Sequence, residues 1–136
     1  MSTTSISQSL SLRIASGVIS VFACGVGVNA ILRPQTALKL LEFPTPAASS
    51  DQKLVNNLMR IYGARNIAMG LSTAITAYLG HTTALGCIFF GNSIVAVVDG
   101  FVSRDQIGRG EWNHWGFLSI SFGLGSALLG VFDRYI

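Results

Sequence analysis

Charge is what this chain has least of. Only 11% of its 136 residues are Asp, Glu, Lys or Arg, while half are hydrophobic. A soluble domain covers its surface with about 25% charged residues, so a water-facing surface of the ordinary kind is excluded. The nine Lys and Arg outnumber six acids for a net charge of +3. They are scattered, and two stand inside apolar sequence, which argues against nucleic acid as a partner. Cysteine is limited to Cys24 and Cys87, far apart and each within an apolar run. That spacing excludes a metal knuckle, and both are read as small core residues rather than a disulfide. The two histidines, His81 and His114, fall at opposite ends of the bundle that the apolar runs imply, on opposite membrane sides, so no metal site is expected. With no nucleophile elbow, phosphate-binding loop or haem-type pair, no cofactor is expected either.

Long apolar runs are what the chain has instead. A bilayer core of about 30 Å needs about 20 apolar residues, and four runs qualify, near 11–32, 54–79, 83–103 and 114–132. The polar opening "MSTTSISQSLSLR" and the length of the first run speak for a retained helix rather than a cleaved signal. The expectation is one transmembrane domain over 1–136, an all-α, integral, multi-pass four-helix bundle.

The connections refine this. In "RPQTALKLLEFPTPAASSDQK", Pro34 opens a short interfacial helix between spans one and two. Leu38, Leu41 and Phe43 form its apolar side, with Phe43 dipping into lipid. Ser50 or Asp51 caps the next span. Gly80, His81 and Thr82 alone join spans two and three, which makes these antiparallel neighbours. Gly108 and Gly110 turn the chain before Trp112, an interface anchor. Arg33, Lys39, Lys53, Arg104 and Arg109 lie on one side, against Arg13 and Arg134 on the other. That asymmetry sets the first and third loops in the cytoplasm and both ends opposite. Small residues at packing intervals, Ser16, Ser20, Ala23, Cys24 and Gly27 in the first span and Ser119, Gly123, Ser126 and Gly130 in the fourth, are read as helix–helix contacts.

The informative residues are the polar ones inside the runs. A charge at the centre of a bilayer costs at least about 2.5–3.5 kcal/mol. At 100° per residue, Arg65, Asn66, Met69, Thr73 and Thr76 all fall within about 60° of Tyr62, one stripe on the second span. Asn92, Ala96, Asp99 and Ser103 form a second stripe on the third. Arg65 is roughly 16 Å into its span, level with Asn92. Side chains lean toward their helix N-terminus, so Arg65 and Asp99 lean toward each other and are expected to pair. Arg60 points the other way, to headgroups or to another helix. His114 and Trp115, after Trp112, are an interfacial anchor or part of a site. Asn29 completes a polar pocket or caps backbone before Pro34.

An ion pair that only fixes helix register is one account of the cluster; a functional pocket is the other, and intramembrane ionisable groups generally mark one. As a pocket it suits water activation. Asp99 takes a proton from water, Asn92 or Asn66 orients that water, Tyr62 or His114 protonates the leaving oxygen, and Arg65 holds the Asp99 anion. Opening an epoxide needs this set within an apolar cleft.

The stretches "RIYGARNIAMGL", "NAILRPQTALKLLEFP", "VVDG" at 97–100 and "HWG" at 114–116 resemble a family of small four-span membrane proteins of filamentous fungi. Some are associated with polyketide pathways as epoxide hydrolases or cyclases. The resemblance covers most of the chain and implies a site of Arg60, Tyr62, Arg65, Asn66, Asp99 and His114. Many similar proteins carry Asp at the position of Asn66, which leaves Asp99 the one carboxylate here. The expectation is thus a membrane enzyme opening an epoxide of a polyene-like metabolite, with Asp99, Arg65, Tyr62 and His114 catalytic and Asn66, Asn92, Asn29, Arg60, Met69 and Trp115 binding substrate. A non-catalytic lipid- or sterol-binding or scaffold protein is the alternative, and a membrane isomerase a third. Expected partners are an apolar small molecule, the bilayer, and a second copy or pathway enzymes; the expected location is the endoplasmic reticulum or another internal membrane.

Overall fold

Four glycines in the left-handed region, Gly80, Gly108, Gly110 and Gly130, mark where the backbone must reverse or stop, a conformation that costs other residues heavily. In the computed structural model, which describes residues 5–135, they punctuate an all-α chain. The helices are α1 (Leu10–Leu32), α2 (Pro34–Leu40), α3 (Ser49–Leu79), α4 (Thr82–Ile107) and α5 (Glu111–Leu128). Two of them, α1 and α4, are long and apolar enough to cross a membrane. The first four residues of the polar opening lie outside the described residues.

Several boundaries differ from expectation, each for a local reason. The last helix runs from Glu111 to Leu128 rather than over 114–132. Gly110 at φ 88 lets it start early, and Gly130 at φ 77 ends it, with Val131 N–H donating back to Ser126 O at 3.1 Å. Neither Ser50 nor Asp51 caps α3. Ala48 is its N-cap without a side-chain bond, and the Ser50 hydroxyl donates to Asp51 Oδ1. Pro34 does open α2, but Phe43 packs on the protein cluster of Ala30, Leu38 and Met59 instead of dipping outward. Cys24 is half-buried, whereas Cys87 is exposed and not a core residue.

The bundle is two tight pairs. α1 packs along α3 and α4 along α5, while α3 and α4, despite a connection of only Gly80 and His81, touch over much less of their length. Small residues explain the α1–α3 pair. A Cβ on Gly63 would stand 2.5 Å from Gly27 O, and one on Gly70 2.6 Å from Cys24 Sγ, so the backbones cross nearly in contact. On α5 the close face is Ser121, Gly125 and Leu128, not the expected stripe: Ser119 and Gly123 are exposed. Gly125 meets Gly86 and Phe90 of α4, and Phe89, Leu85 and Leu128 fill the core beside them.

The helix ends are held by polar side chains. Arg13 of α1 donates through Nε to Ala77 O and through Nη2 to Tyr78 O, both at 2.8 Å. It thereby satisfies carbonyls that a helix C-terminus leaves free, with a charge of favourable sign. At this same end Ser7 donates its N–H to Asp133 Oδ1 (3.0 Å) and its hydroxyl to Oδ2 (2.6 Å), and Gln8 Nε2 donates to Thr82 Oγ1 at 3.0 Å. At the other end Arg109 and Glu42 pair at 3.0 Å, which joins the first and third loops on one side as the alternation of helices requires.

Two outcomes follow. Gly63→Val should destabilise the protein by about 1–3 kcal/mol, the usual cost of overpacking, because the atoms in its way are backbone; thermal unfolding in detergent measures it. Ser7 holds the Asp133 carboxyl below its ordinary range through both hydrogen bonds. A depressed carboxylate adds stability that is present above its unfolded pKa and lost as pH falls through the folded one. Asp133→Asn should therefore lower the thermal midpoint at neutral pH, and the gap from the parent should close on acidification below the carboxylate range.

Candidate functional site

The seam between the two helix pairs holds a cavity of about 390 Å³. Each stripe seen in the helical period supplies one of its walls. Tyr62, Asn66, Met69 and Thr73 come from α3, one turn apart; Asn92, Ala96 and Asp99 come from α4. Thr76 and Ser103, the last members of each stripe, lie beyond it. α5 adds His114, and α1 contributes the apolar Ile19, Ala23 and Val26 with one hydroxyl, Ser20, which donates to Gly17 O at 2.7 Å within its own helix. The result is a greasy chamber with one polar wall, the usual character of a small-molecule site.

Behind the polar wall, Arg65 and Asp99 form the expected pair. Arg65 Nη2 donates to Asp99 Oδ2 at 2.7 Å and Nη1 to Oδ1 at 3.3 Å, a two-pronged contact from α3 to α4. The fork geometry is one that only a guanidinium provides. The guanidinium carbon also sits 4.9 Å from the centre of the Tyr62 ring, within range of a cation–π attraction. Arg65 Nε is buried without a hydrogen-bond partner among the described residues. The Asp99 side chain, 20% exposed, lines the cavity, whereas Arg65 does not. A carboxylate offers about four acceptor positions; the fork takes two and leaves two. Asn66 Nδ2 donates to Tyr62 O at 2.9 Å within its own helix, so its amide oxygen remains available.

Three sequence-derived candidates stand elsewhere. Arg60 is exposed and donates to Asn57 Oδ1 at 2.9 Å, because it lies on the opposite side of α3 from Tyr62. Asn29 lies outside the cavity lining, and its carbonyl accepts the Arg33 N–H at 2.7 Å where α1 ends. Trp115 fills the space beside Gly100 of α4, where a Cβ would collide with its indole, and stands edge-on to Phe101 and Trp112; it closes the α4–α5 seam and does not line the chamber. Conversely, Asn113 and Phe117 of α5 and Leu40 and Leu41 from the first connection line the cavity and were not expected there. For Asn113 the signal existed: Gly110 followed by Glu111 is a helix start, and it puts Asn113 and Phe117 one turn apart on one face.

Residues 20–128 match the family described as Domain of unknown function (DUF4267), a stretch that contains every residue named in the cavity wall except Ile19. No curated protein and no solved structure matches the chain.

A double-mutant cycle tests the pair. Arg65→Gln and Asp99→Asn should each destabilise the protein. The double variant should be more stable than the sum predicts by about 0.5–3 kcal/mol, the range for groups in direct contact; equilibrium unfolding in mixed micelles supplies the four values.

Proposed function

The chain belongs to the DUF4267 family, and we propose that it is a membrane-embedded enzyme that opens an epoxide on an apolar metabolite. The bilayer reading takes all four long helices as spans. It is supported by the apolar side chains turned outward on every one of them, among them Val21, Ile61, Ile94 and Ile120, far more than a soluble monomer exposes. The charged α3 crosses because its Arg65 is neutralised by α4. Loop charges favour the α2 end in the cytoplasm and both ends of the chain opposite, and an internal membrane such as the endoplasmic reticulum suits such a protein.

One observation carries the catalytic reading: a carboxylate, a phenol, an imidazole and three primary amides share the wall of a largely apolar chamber. Asp99 accepts a proton as the water oxygen attacks an epoxide carbon. The carbon–oxygen bond breaks with its electrons on oxygen, and Tyr62 or His114 protonates the alkoxide. Asp99 returns its proton through water to that acid, so the net reaction adds one water. Asn66 or Asn92 orients the attacking molecule. Where the substrate presents its own hydroxyl, the same groups give a cyclic ether without consuming water. The fungal polyketide pathways suggested by the sequence resemblance use such reactions, and polyene epoxides are the substrates to try first.

A second reading, a non-catalytic binder of a lipid or sterol, is favoured by one feature. Both Asp99 oxygens already engage Arg65, so the pair is accounted for as a register lock. Asp99→Asn separates the two, because it keeps the side-chain volume and removes the base. General-base catalysis is worth about 10²–10⁴-fold, and conversion of a polyene epoxide by equal amounts of folded protein should fall by that much. Undiminished conversion would exclude Asp99 as the base, and no conversion by the parent protein would favour the binder.

A further inference from the structure

The chamber is not closed. Most of its lining is buried or half-buried, but Phe22 of α1 and Leu40 of α2 line it while remaining 68% and 70% exposed, and Asn113 of α5 lines it and is exposed as well. A residue that faces both the chamber and the outside marks its mouth. The mouth lies where α1 and α5 scarcely touch, with Leu40 as its sill. Its α1 and α2 edges are apolar; the α5 edge carries Phe117 together with Asn113 and His114 in the first turns of that helix, and the other ionisable groups, Tyr62 and Asp99, lie on α3 and α4. On the bilayer reading proposed above, Phe22 falls near the middle of α1 and therefore faces lipid rather than either aqueous side.

From this geometry we infer that the chamber is loaded sideways from the membrane by a long amphiphile. Its oxygen-bearing end reaches the α3–α4 wall, while its apolar remainder stays in the window between α1 and α5. The inference rests on the membrane-enzyme reading for the orientation of the wall. It adds the substrate's form: one oxygenated end and a tail too long for about 390 Å³. Chambers of this size hold only a small ligand whole, and the exposed apolar rim gives a longer tail somewhere to lie. Water that reaches the wall is then covered by the substrate itself.

The test is positional photolabelling of the whole protein in phosphatidylcholine vesicles. Two diazirine analogues of a saturated octadecane terminal epoxide serve as probes, one with the diazirine beside the oxirane and one with it near the methyl end. The oxirane-end probe should leave adducts on the α3 and α4 segments that hold Asn66 and Asn92. The methyl-end probe should label the segments that hold Phe22 and Leu40. Ala23→Trp, which narrows the window from the α1 side, should reduce the wall adducts about tenfold, and the exposed Phe22→Trp serves if that variant does not fold. Wall adducts from the methyl end overturn the inference. So do oxirane-end adducts no more frequent on the wall than around the outward-facing Val21 and Ile94, or no wall adducts at all. Split labelling without turnover sinks the enzyme reading and leaves the window standing; turnover without split labelling does the reverse.

Discussion

A guanidinium and a carboxylate can remain in apolar helices only by answering each other. The Arg65–Asp99 fork is that answer, and much else in the molecule follows from it. α3 and α4 share little packing beyond the pair and the end near their short link, where Ala77 meets the Leu85–Phe89–Leu128 core, so the fork holds the register of these two helices along the rest of their length. It holds the two polar stripes face to face. It also keeps the seam polar on one side, which is why a chamber persists there instead of collapsing into leucine. Replacing such a pair by well-packed apolar residues is often neutral or stabilising in other proteins. Stability alone is therefore a poor reason for keeping this one.

The tension in the site comes from the same contact. A carboxylate gripped by a guanidinium is well oriented but partly spent as an acceptor. The arrangement suits a base that must hold one direction and accept a proton only when water is driven into an electrophile. It suits a purely structural lock equally well. What tilts the balance is the company Asp99 keeps: a register lock needs neither the phenol of Tyr62 nor the amides of Asn66, Asn92 and Asn113 along the same wall.

The helices and the pair were legible in the sequence because both rest on simple periodicities. Four apolar runs gave the long helices to within a few residues, and 100° per residue with a depth estimate brought Arg65 to Asp99. Partner choice among helices was not legible. Gly27, Gly63 and Gly70 read like any other small residues until the α1–α3 crossing brings them together, and the stripe through Ser119 and Gly123 was as regular as the real one through Ser121 and Gly125. A two-residue turn guaranteed that α3 and α4 start side by side but not that they stay so. The position of Trp115 outside the chamber is illegible for the same reason, since it depends on Gly100, a residue on another helix. The cavity-facing role of Leu40 and Leu41 needed the position of α2 over the bundle, which no local pattern encodes.

The short link at Gly80 and His81 has a consequence for how the chain is made. If α3 and α4 are bilayer spans, neither can settle in lipid while the other remains in the insertion machinery, because two residues leave no slack between them. They must be released as a hairpin. α3 alone would present Arg65 bare to hydrocarbon, whereas the hairpin presents it already matched to Asp99, as one neutral unit. With both helices as spans, the pair would act during synthesis as well as in the finished protein. A change that lengthened the link would expose the nascent helix to failed insertion even if the folded structure accommodated it without loss.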